Sequence, residues 1–320
     1  MHAIAVSRYG ADPAVVELPE PRPGQRQVLI KVRTAGTNPM DRMIADGAWE
    51  RRMAGTFPLV LGSDFDGVVV AVGHKSSKFS PGEEVFGQLL IPPLGSAGTY
   101  AEYVAFPEHA PVAKVPAGLD PVTAAALPTA GATALEVVDS LEPLRARTVL
   151  IAGASGGVGS FATQFAAAAG AHVIATARAN AAPRVRGYGA AETIDYTSVS
   201  VPDAARQAHP DGIDALIDVA SDADGFAALA ALVRPGGTAV TTRYVADPAA
   251  LAAVGVTGVN FRVRVSPEVL ERLANAVIAG RIVPPPITQV AFDDVPSMLN
   301  GTSTYQSDGK TVITLPATTR

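Results

Sequence analysis

The chain has 320 residues, 48% of them apolar and 17% charged, with a formal net charge of −5. That length exceeds one average domain and suits two, with enough apolar residues for large cores. The acidic balance points away from nucleic acid and anionic membrane surfaces, and the lack of cysteine removes disulfides, thiolate zinc sites and a cysteine nucleophile.

The opening segment MHAIAVSRYG lacks the basic region, apolar core and cleavage site of a signal peptide. With no cysteine to oxidise, a cytoplasmic location is expected. Residues 1–118 read as mostly β, from short β-branched and aromatic runs such as VLIKVRTAG, FDGVVVAVG, EEVFGQ and TYAEYVAFPE. Pro19, Pro21 and Pro23 make a stiff early loop. Residues 119–262 change character: apolar strands alternate with Ala-rich helices, which predicts a parallel sheet covered on both faces. The first helix there opens at Asp120-Pro121, a capping residue followed by proline. After residue 263 come one helix, Pro267 to Ala279, stopped by Gly280, and a final strand GKTVITL. This tail is too short for a domain and is expected to rejoin the first.

The stretch from Thr148 to Ala177 carries no charged residue and is long enough to raise the question of a membrane span. Glycines at 153, 156, 157, 159 and 170 interrupt it, so strand, helix and strand is the better reading, with no membrane association. Its centre, Gly153-Ala-Ser-Gly156-Gly157-Val-Gly159, joins the strand TVLIAGA to a helix. Such a loop needs positive φ and close backbone approach to a pyrophosphate, and the helix N-terminus supplies free N–H groups. Val158, Phe161, Ala162, Phe165 and Ala169 fall at helical spacing and are expected to face the sheet. A glycine-rich turn that binds nothing is the competing reading; the complete βαβ unit favours the cradle. The glycines also fit a short-chain dehydrogenase register, but about 150 residues precede the loop and no tyrosine has lysine four residues on.

An NAD-preferring site usually ends its second strand in an acidic residue that binds the ribose 2′-hydroxyl. Here the strand ends Ala175-Thr176-Ala177-Arg178, with Arg184 and Arg186 close behind. A guanidinium pairs with a 2′-phosphate where a carboxylate would repel it, so NADPH is expected; a basic surface loop is the plainer reading.

Along nearly its whole length the chain resembles the medium-chain dehydrogenase/reductase superfamily, in its zinc-free quinone oxidoreductase (zeta-crystallin-like) branch. The resemblance is carried in order by AGTNPMD, FPLVLGSDFDGVVVAVG, GTYAEYVAFP, AAALPTAGATALEVV, the glycine loop, YGAAETIDY, GIDALIDVA, LVRPGGTAV and GKTVITL. It implies an α/β fold: a GroES-like β-rich catalytic domain from residues 1–118 and 263–320, with a Rossmann doubly wound parallel-sheet domain, residues 119–262, inserted. It places the active site in the cleft between them. It implies that Asn38 and Thr129 approach the nicotinamide end, that Ser155, Gly156, Gly157 and Val158 hold the pyrophosphate, and that Arg178 and Tyr196 hold the 2′-phosphate. Ala220, Thr241 and Thr242 would line the nicotinamide side. For Tyr196, a packed strand-end residue is the alternative.

Departures from the family are informative. Asn38 and Ser63 stand where the zinc branch has Cys and His, and the five histidines are scattered without an i, i+4 pair, so no metal is expected. Many relatives carry Tyr or Lys where this chain has Met43, a side chain that cannot donate a proton; the catalytic acid stays unassigned, with water, Tyr100 or the ribose hydroxyl in its place. Asn38, Met43, Trp49 and Tyr100 are the candidates for the substrate pocket, Trp49 being equally a core residue. Asp64 and Asp66 form an apparent acid pair, with a structural hydrogen-bond role favoured for Asp64; Asp41 reads as a turn anchor. Asp308 replaces a basic residue of relatives, with Lys310 as a weak substitute for a phosphate contact. GVNFRVRV, residues 258–265, reads as the last Rossmann strand. Relatives pair there with a second copy, so a homodimer is expected; Arg262 and Arg264 as edge protection is the alternative.

These readings predict a zinc-independent, NADPH-dependent reductase that passes hydride to a quinone or to the C=C of an α,β-unsaturated carbonyl. The alternatives are a trans-acting enoyl reductase of polyketide or fatty acyl synthesis and a non-catalytic NADPH-binding zeta-crystallin-like protein.

Overall fold

His2–Val6 (β1), Ala14–Glu17 (β2) and Gln27–Gly36 (β3) open the chain as strands. In β3, Val28, Ile30 and Val32 are buried while Lys31 and Arg33 reach toward solvent, the period-two pattern of a sheet with one covered face. There follow α1 (Pro39–Ala45), β4 (Leu59–Val60), β5 (Asp64–Val72), β6 (Glu84–Gln88), β7 (Tyr103–Pro107), β8 (Val112–Lys114) and α2 (Pro121–Ala126). The computed structural model describes residues 1–302 and 307–316.

Next come α3 (Pro128–Ser140), β9 (Thr148–Ala152), α4 (Gly157–Ala168), β10 (His172–Thr176), α5 (Ala182–Gly187) and β11 (Glu192–Ile194). They are followed by α6 (Val201–Ala208), β12 (Ile213–Asp218), α7 (Ala223–Ala230), β13 (Val233–Thr241), α8 (Pro248–Ala253) and β14 (Thr257–Asn260). The tail adds α9 (Pro267–Ile278), β15 (Ile287–Ala291), α10 (Val295–Leu299) and β16 (Lys310–Thr314).

Two compact units result: residues 1–129 with 265–320, and residues 130–264. The first is the β-rich unit. It holds a small antiparallel sheet, β2-β1-β4, and a larger one ordered β15-β16-β3-β5-β6-β8, with β7 also on β3. The tail rejoins the first part through β16, which pairs antiparallel with β3. The division falls at residue 129, not at 118. The reason is α2, which Asp120 caps by accepting from Thr123 N at 2.9 Å. It lies so close to β3 that a Cβ on Gly36 would sit 2.1 Å from Ala125 O.

The second unit is a six-stranded sheet ordered β11-β10-β9-β12-β13-β14 with every pairing parallel, the Rossmann order. Its central strand β9 is buried from Val149 to Ala152, as a sheet covered on both faces requires. The uncharged stretch from 148 to 177 is β9, α4 and β10, and among the described residues no helix is long and apolar enough to cross a membrane.

Two details differ from the sequence reading. On α4, Phe161 and Ala162 are buried as expected, but Val158 and Phe165 are only partly covered. Ser160, Thr163 and Gln164 are buried instead, because their side chains bond back to the carbonyls of Gly157, Gly159 and Ser160. The edge strand β14 stops at Asn260, so the edge on which the resemblance places dimer pairing is four residues, not eight. Beyond it the chain leaves the sheet, and Arg264 N donates to Glu136 Oε2 at 2.8 Å. Arg262 and Arg264 therefore lie past the strand, so the alternative in which they protect its edge does not hold.

Candidate functional site

In the Rossmann unit, β9 ends at Ala152 and Gly153 turns the chain with φ of 86°, a left-handed conformation that a side chain would strain. Its N–H donates to Thr176 Oγ1 at 3.0 Å, which ties the loop to the end of β10. Gly156 is the N-cap of α4 and offers no capping side chain, so the helix begins with N–H groups that no side chain of the cap takes. The two glycines flanking this start have different reasons. A Cβ on Gly159 would lie 2.1 Å from Gly153 O, so this glycine lets helix and strand touch. A Cβ on Gly156 would meet only Gly153 O, at 3.5 Å, and would otherwise fill the open side of the loop. A cradle that one methyl group would fill fits a pyrophosphate held by Ser155, Gly156, Gly157 and Val158, all partly exposed.

Parallel pairing carries the predicted contacts that follow β10, β11, β12 and β13 to the same end of the sheet. Asp218, the last residue of β12, is in register with Ala152 of β9 and Thr241 of β13. Its Oδ1 accepts from the N–H groups of Ala220 and Ser221, both at 2.9 Å, which shapes the turn that presents Ala220. Thr242 N donates to Asp218 O at 3.2 Å. Thr241 is fully buried, and its Oγ1 accepts from Arg243 N at 3.0 Å, so its hydroxyl braces the strand end. Sequence reading missed Asp218, although a carboxylate ending an all-apolar strand is a readable sign of a capped turn.

Arg178 and Tyr196 follow β10 and β11, which are neighbours, and Arg178 Nε donates to Tyr196 Oη at 3.0 Å. Tyr196 is 46% exposed, so it is not a packed strand-end residue. The guanidinium keeps further N–H donors beyond the one used here. Beside them lies Asp195, which sequence reading also missed. Its Oδ1 accepts from Thr197 N at 2.9 Å and Thr197 Oγ1 at 2.7 Å, and these bonds, aided by the charge of Arg178, hold its carboxyl below the usual range. Arg184 and Arg186 sit on α5 rather than a loop; Arg186 Nη2 donates to Thr193 Oγ1 at 2.6 Å.

The β-rich unit holds a separate buried polar cluster. Asp64, fully buried on β5, accepts from Thr129 Oγ1 at 2.6 Å, Thr129 N at 3.1 Å and Asn38 Nδ2 at 2.9 Å. Lys310 Nζ donates to Asn38 Oδ1 at 2.9 Å and to Thr37 O at 2.7 Å, and lies 3.8 Å from Asp64 Oδ2. The Asn38 amide is thus fixed from both ends. Lys310 is 4% exposed and committed to this cluster, so it is no substitute phosphate ligand. Burial pushes the Asp64 carboxyl up and the Lys310 ammonium down, each opposed by the charge of the other. The apparent acid pair divides: Asp66 instead forms a two-pronged bond with Arg33, at 2.7 and 3.0 Å.

The pocket candidates scatter. Tyr100 is fully buried and its hydroxyl donates to Asp41 Oδ2 at 2.6 Å, so it is neither a pocket wall nor an available acid. Trp49 packs against the core of this unit with the Arg52 guanidinium 6.0 Å above its ring. Met43 is 45% exposed on α1. A small cavity in the unit is lined by leucines, Ile44 and Ile91 together with Ser63 and Asp41, the partner of Tyr100. Asp41 Oδ1 and Ser63 Oγ, both buried, make no hydrogen bond with the protein.

Asp41 anchors the start of α1, accepting from Asn38 N at 2.7 Å. Its carboxyl is pushed up to about 7, chiefly by burial, with the Asp64 charge adding and the bond from Tyr100 opposing. The folded value exceeds the unfolded one, so this group contributes stability fully below about pH 4 and loses it as pH rises through about 7. Asp41→Asn imitates the protonated acid. It is expected to flatten the fall of Tm between about pH 4 and 7 and to leave the protein at least as stable as wild type at the upper end. An unchanged slope in thermal melts of the variant would assign the pH dependence to other groups.

The β-rich unit and the Rossmann unit, with a glycine turn and a helix start at the carboxyl end of the parallel strands, are the architecture of the two-unit dehydrogenase class. Comparison with known proteins agrees. Residues 24–117 match the family described as "Alcohol dehydrogenase GroES-like domain" and residues 157–266 that described as "Zinc-binding dehydrogenase". The chain is 33% identical to the chloroplastic quinone-oxidoreductase homolog of Spinacia oleracea, over 66% of this chain and 65% of that protein. It is 31% identical to the mitochondrial NAD(P)H oxidoreductase RTN4IP1 of Mus musculus, over 90% and 81%. The solved quinone oxidoreductase of Coxiella burnetii superposes with a TM-score of 0.85 at 25% identity, covering 99% of each chain. The chain belongs to the medium-chain dehydrogenase/reductase superfamily, among its quinone-oxidoreductase-like members.

The second family description implies zinc, which the residues at that position do not fit. Asn38 and Ser63 are poor zinc donors, and of the carboxylates beside them Asp64 already serves Thr129, Asn38 and Lys310, and Asp41 Oδ2 serves Asn38 N and Tyr100. The histidines are less scattered than the sequence suggests: His172 and His209 share a carboxylate in the Rossmann unit.

Proposed function

We propose that this protein is an NADPH-dependent reductase that passes hydride to a quinone or to the β-carbon of an α,β-unsaturated carbonyl. The observation that carries the cofactor half is the Arg178–Tyr196 pair beside an open phosphate cradle. The names of the spinach and mouse relatives support the reductase half. NADPH would supply two electrons and one proton as hydride, and solvent the second proton that completes hydroquinone or saturated carbonyl.

In this reading Ser155, Gly156, Gly157 and Val158 hold the pyrophosphate, and Arg178 and Tyr196 the 2′-phosphate. In the Rossmann unit Ala220, Thr241 and Thr242 are the proposed contacts of the nicotinamide end. Met43 has no proton to give and Tyr100 is buried on Asp41, which favours acceptors that solvent can protonate. Quinones meet that condition best. The test is NADPH oxidation followed at 340 nm with benzoquinones, naphthoquinones, enones, enals and a crotonyl thioester. Turnover of quinones ahead of the others is expected. Tight NADPH binding with no turnover of any acceptor would sink the reductase and leave a cofactor-binding protein; turnover of the thioester alone would make it an enoyl reductase.

A further inference from the structure

Three side chains far apart in sequence meet at the other end of the Rossmann sheet. His172 is the first residue of β10 and Glu192 the first of β11, the neighbouring parallel strand. His209 follows α6. His172 Nε2 lies 2.5 Å from Glu192 Oε1, and His209 Nε2 lies 3.0 Å from the same oxygen. The two rings stand 5.8 Å apart. One ligand atom from each residue falls within 4.8 Å of the others, and among the described residues this is the one group of three or more His, Cys, Asp or Glu so arranged. His172 is in register with Thr148, the first residue of β9. The group therefore sits a strand length, roughly 16 Å, from the phosphate cradle.

We propose that His172, Glu192 and His209 bind one divalent metal ion of the zinc type, at a site separate from the cofactor cradle and from the position of zinc in the family's metal branch. Two imidazoles and a carboxylate are the ligand set of an open zinc site, with the fourth position left to water. Neutral imidazole suits Zn²⁺, Ni²⁺ and Co²⁺, whereas Mg²⁺ and Ca²⁺ want oxygen. Ligand atoms around tetrahedral zinc stand about 3.3 Å apart, given metal–ligand bonds of about 2.0 Å. The two nitrogen–oxygen separations, 2.5 and 3.0 Å, need to open by less than about 1 Å, and all three side chains have room, with 43%, 36% and 20% of the His172, Glu192 and His209 side chains exposed. The backbone does not have to move. His172 N donates to Arg147 O, and His209 is held through Ala205 O and Gly212 N. A bound ion would join the edge strand β11 to β10 and to the end of α6, so binding should raise Tm by mass action.

The test uses the full, untagged chain, stripped of metal by chelating resin and titrated with ZnCl₂ in a calorimeter. One equivalent is expected, with Kd below about 100 μM and no competition from millimolar Mg²⁺. His172→Asn and His209→Asn should each weaken binding at least tenfold, with melting temperatures unchanged in the absence of metal. Cu²⁺ added to the wild-type protein should show two nitrogen ligands by electron paramagnetic resonance, which needs no variant. Weaker binding than 100 μM, equal binding by the double His variant, or a copper spectrum without nitrogen ligands would each overturn the site.

Discussion

Arg178→Ala is expected to raise the dissociation constant for NADPH by about 10- to 100-fold and that for NADH by less than about threefold. The expectation rests on geometry and charge. Arg178 and Tyr196 leave adjacent parallel strands at the cradle end of the sheet and bond to each other at 3.0 Å. A hydrogen-bonded pair with a charged group contributes about 1.5–3 kcal/mol, which spans that range. The carboxylate of Asp195, whose charge Arg178 feels, has its Oδ1 committed to Thr197. Fluorescence titration with both cofactors measures the effect. Equal weakening of both would take Arg178 out of the 2′-phosphate role. Tyr196→Phe should give a smaller loss, because the guanidinium stays.

The second large effect separates two glycines three residues apart. Gly159→Ala should destabilise the protein by about 3 kcal/mol or more, because its methyl group would be driven to within 2.1 Å of Gly153 O and 2.7 Å of Ala154 Cα. Gly156→Ala should leave stability within about 0.5 kcal/mol, since its φ of −81° is ordinary for alanine and the nearest atom is 3.5 Å away. Yet it should weaken either cofactor at least tenfold, because the new methyl group occupies the face on which a pyrophosphate would rest. Denaturant melts and cofactor titration on both variants decide this. Normal cofactor binding by Gly156→Ala would remove the cradle from the helix start.

What could be read in advance was what is local. Alternation in β3, the apolar run of β9 and the glycine loop each declare themselves within ten residues. The unit boundary did not, because nothing near Asp120 says that α2 will lie against Gly36, far back in the chain. Tyr100 was misread for the same reason: its partner Asp41 is 59 residues away. Past the end of β14, Glu136, 128 residues upstream, takes the backbone N–H of Arg264, a pairing that nothing local announces. The shared carboxylate of His172 and His209 is invisible until β10, β11 and α6 are stacked. The glycine turn was legible because one βαβ unit builds it; the buried cluster was not, because four separate segments do.

That cluster also sets an order on the making of the protein. Lys310 lies 272 residues after Asn38. At about 5–20 residues per second, a ribosome takes roughly 15 to 50 seconds to travel between them. By the end of that interval residues 130–264 have all been made, while Asp41 and Asp64 still have no ammonium to set against them. The inserted unit has all it needs to fold while the one that began first is still waiting for its counter-charge. A chain stopped short of residue 310 carries its acids without their base.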